Sequence, residues 1–160
     1  MKRKPRHKPT YSLVHEMMAS PTEPMSVERR TFQLTRMFEG LASIETSPSP
    51  TTDDWRVCSD VVNIMETLVV EMKVCEDQDG LLMDAVTALA MAGRRSLDGK
   101  GIRLDAPGIK AVRSILTDYA SLLEVLPERT VTRAHRLTEK RIRAILDGRK
   151  APHDIEIMSL

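Results

Sequence analysis

Apolar residues in this chain recur at three- and four-residue steps in segment after segment, with prolines and glycines between them. Leu34, Phe38, Leu41 and Ile44 form the first stripe, and Val57, Val61, Ile64, Met65, Leu68, Met72 and Cys75 the second. Leu82, Ala85, Val86 and Leu89 make a shorter third, and Ile109, Val112, Leu116, Tyr119, Leu123 and Leu126 a fourth. Side chains at such intervals share one face of a helix. The interior must be filled with few rings, because aromatic residues are 3% of the chain while methionines number ten. Leu, Met, Ala and Val suit helices better than a sheet rich in aromatic and β-branched residues. A length of 160 residues fits one domain with a real core. The expected fold is therefore all-α, an antiparallel bundle of four to five helices with a flexible basic N-terminal arm.

The punctuation sets the boundaries. Residues 1–10 read as the arm, since Pro5 and Pro9 deny it a regular helix. Residues 11–148 read as the helical domain and 149–160 as a loose tail. A short helix with Leu13, Val14, Met17 and Met18 spans Ser12–Ala19, ahead of Pro21 and Pro24. Ser26 caps a helix that runs to about Glu45, and Thr46–Pro50 is a linker. Thr51 and Asp54 have capping-box spacing and start a long helix reaching about Glu76, broken by Asp79-Gly80. Leu81–Ala92 follows, with Gly93 as its stop. Ile102-Arg103-Leu104 reads as a short extended piece. Asp105 caps the next helix, and Pro127 opens a last one over Glu128–Asp147.

That last helix carries the strongest functional signal. Arg129, Arg133, Arg136, Lys140 and Arg143 recur at steps of four, three, four and three. At about 100° per residue they fall within roughly 80° of arc. Val131, Ala134, Thr138, Ile142 and Ile145 lie opposite, so one face suits a core and the other a polyanion or an acidic partner. The arm adds Lys2, Arg3, Lys4, Arg6 and Lys8. A net charge of +1 hides this segregation. Asp53, Asp54, Asp60, Glu66, Glu71, Glu76, Asp77, Asp79 and Asp84 crowd the middle, opposed by Arg56 and Lys73. Asp60, Asn63, Thr67 and Glu71 are expected on the outward face of the acidic helix.

Other chemistry is weakly represented. Within one helix, 17 residues place Cys58 and Cys75 about 25 Å apart, far beyond the roughly 4.4–6.8 Å a disulfide needs. Both read as free thiols of a reducing cytosol. No apolar run approaches the ~20 residues of a membrane span, and no secretory leader is evident, so a cytoplasmic protein without a membrane partner is expected. His7, His15, His135 and His153 have no ligand spacing, and the acidic positions climb their helix, so no metal is expected. Arg94–Gly101 has Gly and Lys but matches neither nucleotide fingerprint. No catalytic residues and no cofactor are assigned, and the chain reads as non-enzymatic.

Several local patterns resemble a group of short helical proteins encoded on prophages and plasmids of proteobacteria. They are the opening Lys2–Pro9, the acidic-Trp helix start Asp54-Trp55 with Asp60, Asn63 and Glu66, and Leu81–Leu89 followed by Arg94-Arg95. Gly101-Ile102-Arg103 and the Tyr119 helix leading to an Arg-rich one complete the likeness, which spans most of the chain. No activity or site residue comes with it. It implies a mobile-element accessory protein, a class that often binds host macromolecules, including defence complexes.

Two functions fit. One is an inhibitor or adaptor that binds a host protein or nucleoprotein complex through charged helix faces. The other is a nucleic-acid-associated protein using the arm and the basic helix. The acidic middle favours the first, because it would repel a polyanion wrapped around so small a domain. A homodimer is a further expected partner, since Met65, Val69, Met72, Val112, Leu116 and Leu123 compete for one modest core.

Overall fold

The computed structural model describes residues 9–148, and every regular element among them is helical. The helices are α1 (Leu13–Met18), α2 (Val27–Thr46), α3 (Thr52–Glu66), α4 (Leu82–Leu97), α5 (Ala106–Val125) and α6 (Glu128–Leu146). A π-turn over Thr67–Glu71 prolongs α3. The order follows the sequence reading, with six helices where four to five were expected.

The starts of α2, α3 and α5 are set by short polar side chains. Thr51 and Asp54 form a reciprocal capping box on α3, and the Asp54 carboxylate also accepts from Ser43 of α2 at 2.7 Å. Those hydrogen bonds hold its pKa below the ordinary carboxylate value against the opposing effect of burial. Ser26 caps α2 and Asp105 caps α5, each accepting a backbone N–H three residues on.

Helix α3 is the hub. It packs against α2, α4 and α5 on one side and meets α6 on another. Trp55, Cys58, Val62, Ile64, Met65 and Leu68 enter the core with Met37, Leu41 and Ile44 of α2, Leu82, Ala85 and Leu89 of α4, and Val112, Ile115, Leu116, Tyr119 and Leu123 of α5. The stripe of α2 holds at Leu34, Leu41 and Ile44 and departs from the expected one at Phe38. Met37 is buried while Phe38 stands at the boundary, 37% exposed. Met65, Val112, Leu116 and Leu123 are buried, and Val69 and Met72 pack against the same core. These six side chains thus share one core within the chain.

Three boundaries differ from expectation for physical reasons. The α3 helix does not continue to Glu76. It widens into the π-turn and ends at Met72, and Lys73 then takes a positive φ of 53°. Gly93 does not stop α4, which continues to Leu97. It lies against the indole of Trp55, where an added Cβ would come 3.0 Å from Cζ2. The ring is fixed, because Trp55 Nε1 donates to the Leu89 carbonyl at 2.8 Å. Ile102–Leu104 forms no strand. It is a loop that buries Ile102 and is tied down by Arg103, whose guanidinium donates to the carbonyls of Ser47 and Pro48 at 2.7 and 2.6 Å.

Gly93→Ala should consequently destabilise the protein by about 1 kcal/mol or more. Overpacking against the anchored indole outweighs the gain in helix propensity of similar size. Urea denaturation checks the sign, and a stabilised variant would show that the indole can yield.

Candidate partner-binding face

The long apolar side of α6 lies on the bundle through Val131, Ala134 and Thr138, as the spacing implied, while Ile142 and Ile145 are half-buried toward its end. The deepest contact is one the sequence reading missed. Arg141 is 4% exposed and enters the interior between α6 and the end of α3. Its Nη2 donates to Glu66 Oε2 and to the Asn63 carbonyl, both at 3.0 Å, and its Nη1 donates to Glu71 Oε1 at 2.8 Å. Beside it Thr67 Oγ1 and Thr138 Oγ1 meet at 2.6 Å, with Thr138 also reaching the Ala134 carbonyl.

The π-turn explains how two carboxylates reach one guanidinium. Glu66 and Glu71 are five residues apart, about 140° out of line in an α-helix, but near a full turn where hydrogen bonds run five residues back. This corrects the expected outward face of the acidic helix. Asp60 is exposed, whereas Thr67 is fully buried and Glu71 faces α6. A signal for Arg141 was present, since on the helical wheel it falls about 120° from the centre of the basic stripe and beside Ala134.

The stripe itself is partly covered by α1 and its flanks. Helix α1 starts with a capping box in which Ser12 Oγ accepts the His15 N–H and His15 Nδ1 accepts the Ser12 N–H. It packs on α6 and buries no residue of its own. Arg129 Nε donates to the Ala19 carbonyl at 3.1 Å and its Nη2 to the Met17 carbonyl at 2.8 Å, which satisfies the otherwise orphaned C-terminal end of α1. Arg136 Nε donates to Glu16 Oε2 at 2.6 Å, and Arg133 Nε lies 3.9 Å from the other Glu16 oxygen. Arg143 pairs with Glu139 at 2.9 Å, and Glu139 also accepts the N–H groups of Thr10 and Tyr11. Carbonyls of Ser20 and Glu23 in turn receive the first-turn N–H groups of Arg129 and Glu128, and Arg29 of α2 pairs with Glu128.

Of the five stripe cations, Arg133 and Lys140 are therefore the most exposed, with 57% of the Arg133 side chain accessible. Lys2, Arg3, Lys4, Arg6 and Lys8 lie outside the described residues. The apolar side of α1 faces away from the core. Leu13, Val14, Met17 and Met18 are 57–81% exposed and at three- and four-residue steps form one ridge along α1.

An aromatic pair closes the interface. The Tyr11 ring stacks on His135 with centroids 4.5 Å apart and 19° between planes, and Tyr119 Oη lies 3.5 Å from His135 Nε2. Burial pushes the His135 pKa down from 6.5 to about 4, opposed by Glu139. It also raises the Tyr11 phenol and lifts Cys58 in the core to about 12, which makes that thiol an inert packing group. Both cysteines are unpaired. No helix among the described residues is long and apolar enough to cross a membrane. No group of three or more potential metal ligands converges among them.

No family model, no curated protein and no solved structure matches this chain. The face is accordingly read from its own chemistry.

Because folded His135 resists protonation, the unfolded chain takes up the proton first as pH falls. Stability from this group is full above pH 6.5 and is lost between 6.5 and about 4, on the order of 3 kcal/mol in all. His135→Asn should flatten that part of the stability–pH curve measured by urea denaturation. An unchanged slope would show that His135 titrates normally.

Proposed function

We propose that this chain is a non-enzymatic, cytoplasmic accessory protein of a mobile element, built as an antiparallel helical bundle. Its α1–α6 face binds an acidic surface on a host protein or nucleoprotein complex, and it serves there as an inhibitor or adaptor. A defence complex is the host target class that suits such a protein.

One observation carries this reading. Arg133 and Lys140 are exposed on α6, and Leu13, Val14, Met17 and Met18 are exposed on α1, the helix packed against it, so cations and large flexible apolar side chains belong to one pair of helices. Arg and Met are enriched at protein interfaces, where a buried apolar patch supplies affinity and flanking charge supplies orientation and on-rate. A phosphate backbone rewards cations alone. Here Arg129, Arg136 and Arg143 are already engaged by carbonyl and carboxylate oxygens of the same chain. That reduces the number of counterions a nucleic acid could release.

Nucleic-acid association remains the second reading, favoured by one feature. Thr10, which follows the basic block Lys2–Lys8 in sequence, donates its N–H to Glu139 on the helix that carries Lys140 and Arg143.

Affinity pull-down of the intact protein from its host separates the two. The protein reading expects one defined complex, lost by more than about tenfold both with Arg133→Gln/Lys140→Gln and with Leu13→Ser/Met17→Ser. These positions are exposed, so helicity should be retained. Retention of bulk nucleic acid would contradict the reading, above all if loss of the two cations lowers the salt dependence while the apolar changes do nothing.

A further inference from the structure

Beneath the ridge of α1 lies a site that the chain fills with its own segment. One carboxylate, Glu16, sits against two guanidiniums, 2.6 Å from Arg136 and 3.9 Å from Arg133. A third guanidinium, Arg129, takes two main-chain carbonyls, those of Met17 and Ala19. The Tyr11 ring covers His135, and the Glu139 carboxylate accepts two main-chain N–H groups at 2.8 and 3.1 Å. Charge-assisted bonds to side-chain carboxylate, main-chain carbonyl and main-chain N–H, with an aromatic ring on an imidazole, are how a protein holds a peptide.

The segment is held by these contacts and little else. Helix α1 has no buried residue, and its large apolar side chains face solvent. In contrast α6 is fastened by Arg141, by Val131 and by Ala134 in the interior. Removing α1 would thus cost polar contacts that salt and competing anions can replace, and would leave α6 seated. It would uncover Arg129, Arg136 and His135 next to Arg133, which is exposed already.

Resting on the partner-binding reading above, we propose that residues 10–19 occupy, in cis, a binding site for an acidic peptide segment. A segment that offers an aromatic side chain and, five residues later, a carboxylate reproduces Tyr11 and Glu16 and displaces them. The tethered segment competes at high effective concentration, so the site is masked in the resting protein and its apparent affinity is lowered by the fraction closed. The ridge of Leu13, Val14, Met17 and Met18, exposed already with α1 in place, moves with it and can follow the same partner.

The test uses the full-length protein and a synthetic peptide of residues 9–24 of this chain as the probe. Glu16→Gln/Tyr11→Ala in the protein should abolish hydrogen-exchange protection over residues 13–19 while protection in α3 and α5 persists. The peptide should then bind at least about tenfold more tightly than to the unaltered protein. A peptide carrying Glu16→Gln should lose that gain, as should the protein with Arg129→Gln/Arg136→Gln added. Retained protection over 13–19, equal peptide affinity for both proteins, or tighter binding of random duplex than of the peptide by the opened variant would each overturn the proposal. Because the probe comes from the chain itself, failure here is distinguishable from failure to find a host partner.

Discussion

The guanidinium of Arg141 is the contact on which the arrangement of the outer layer depends. It carries a charge into the interior, where desolvation costs several kcal/mol and is offset only by close, well-oriented acceptors. Glu66, Glu71 and the Asn63 carbonyl provide them at 2.8–3.0 Å. A purely apolar contact between α6 and α3 would tolerate rotation or sliding by a residue. An ion pair shared by two carboxylates does not, since any other register strands a buried charge. The rotation of α6 fixes which side chains look outward, so the basic stripe and everything bound to it follow from this one inward arginine.

The π-turn belongs to the same device. It is the price of bringing Glu66 and Glu71 to a single guanidinium, and it coincides with the point where α3 gives up helical geometry altogether. Lys73 adopts its positive φ just beyond, and the chain then turns through Asp77, whose carboxylate accepts the N–H groups of Leu81 and Leu82 at the head of α4. Local backbone distortion is here linked to a polar contact between layers, not to a catalytic group.

Much of the fold was legible in the spacing of Leu, Val, Ile and Met, because each long helix buries one stripe, and in the caps Ser26, Thr51 and Asp105 that open α2, α3 and α5. What was not legible depended on neighbours distant in sequence. Gly93 reads as a helix stop, yet it is small because Trp55 lies against it. Phe38 reads as core, but the approach of α2 to α3 favours Met37. The face of the acidic helix seemed solvated because Asp60, Asn63 and Glu71 are polar, and the partner that turns two of these positions inward sits some seventy residues away. The basic stripe was visible on the helical wheel, whereas its partial cover was not. Nothing in Leu13–Met18 alone says that Glu16 should meet Arg136 and that the apolar residues should face water.

The cover also changes what the stripe can do. Five cations in a row would be a nucleic-acid footprint if all were free, but Arg129, Arg136 and Arg143 are hydrogen-bonded within the chain and Arg133 lies 3.9 Å from Glu16. Charge on α6 and exposed apolar side chains on α1 thus occur on one pair of packed helices, and the seating of α6 sets how both are presented.

That position is tested most directly by urea unfolding of Arg141→Ala and of Arg141→Met/Glu66→Met. The single change should cost about 3–5 kcal/mol by leaving two carboxylates facing an uncharged interior, and the double apolar replacement should recover most of it. A cost within ~0.5 kcal/mol for Arg141→Ala would contradict the account, because α6 would then be held in place by its apolar face alone.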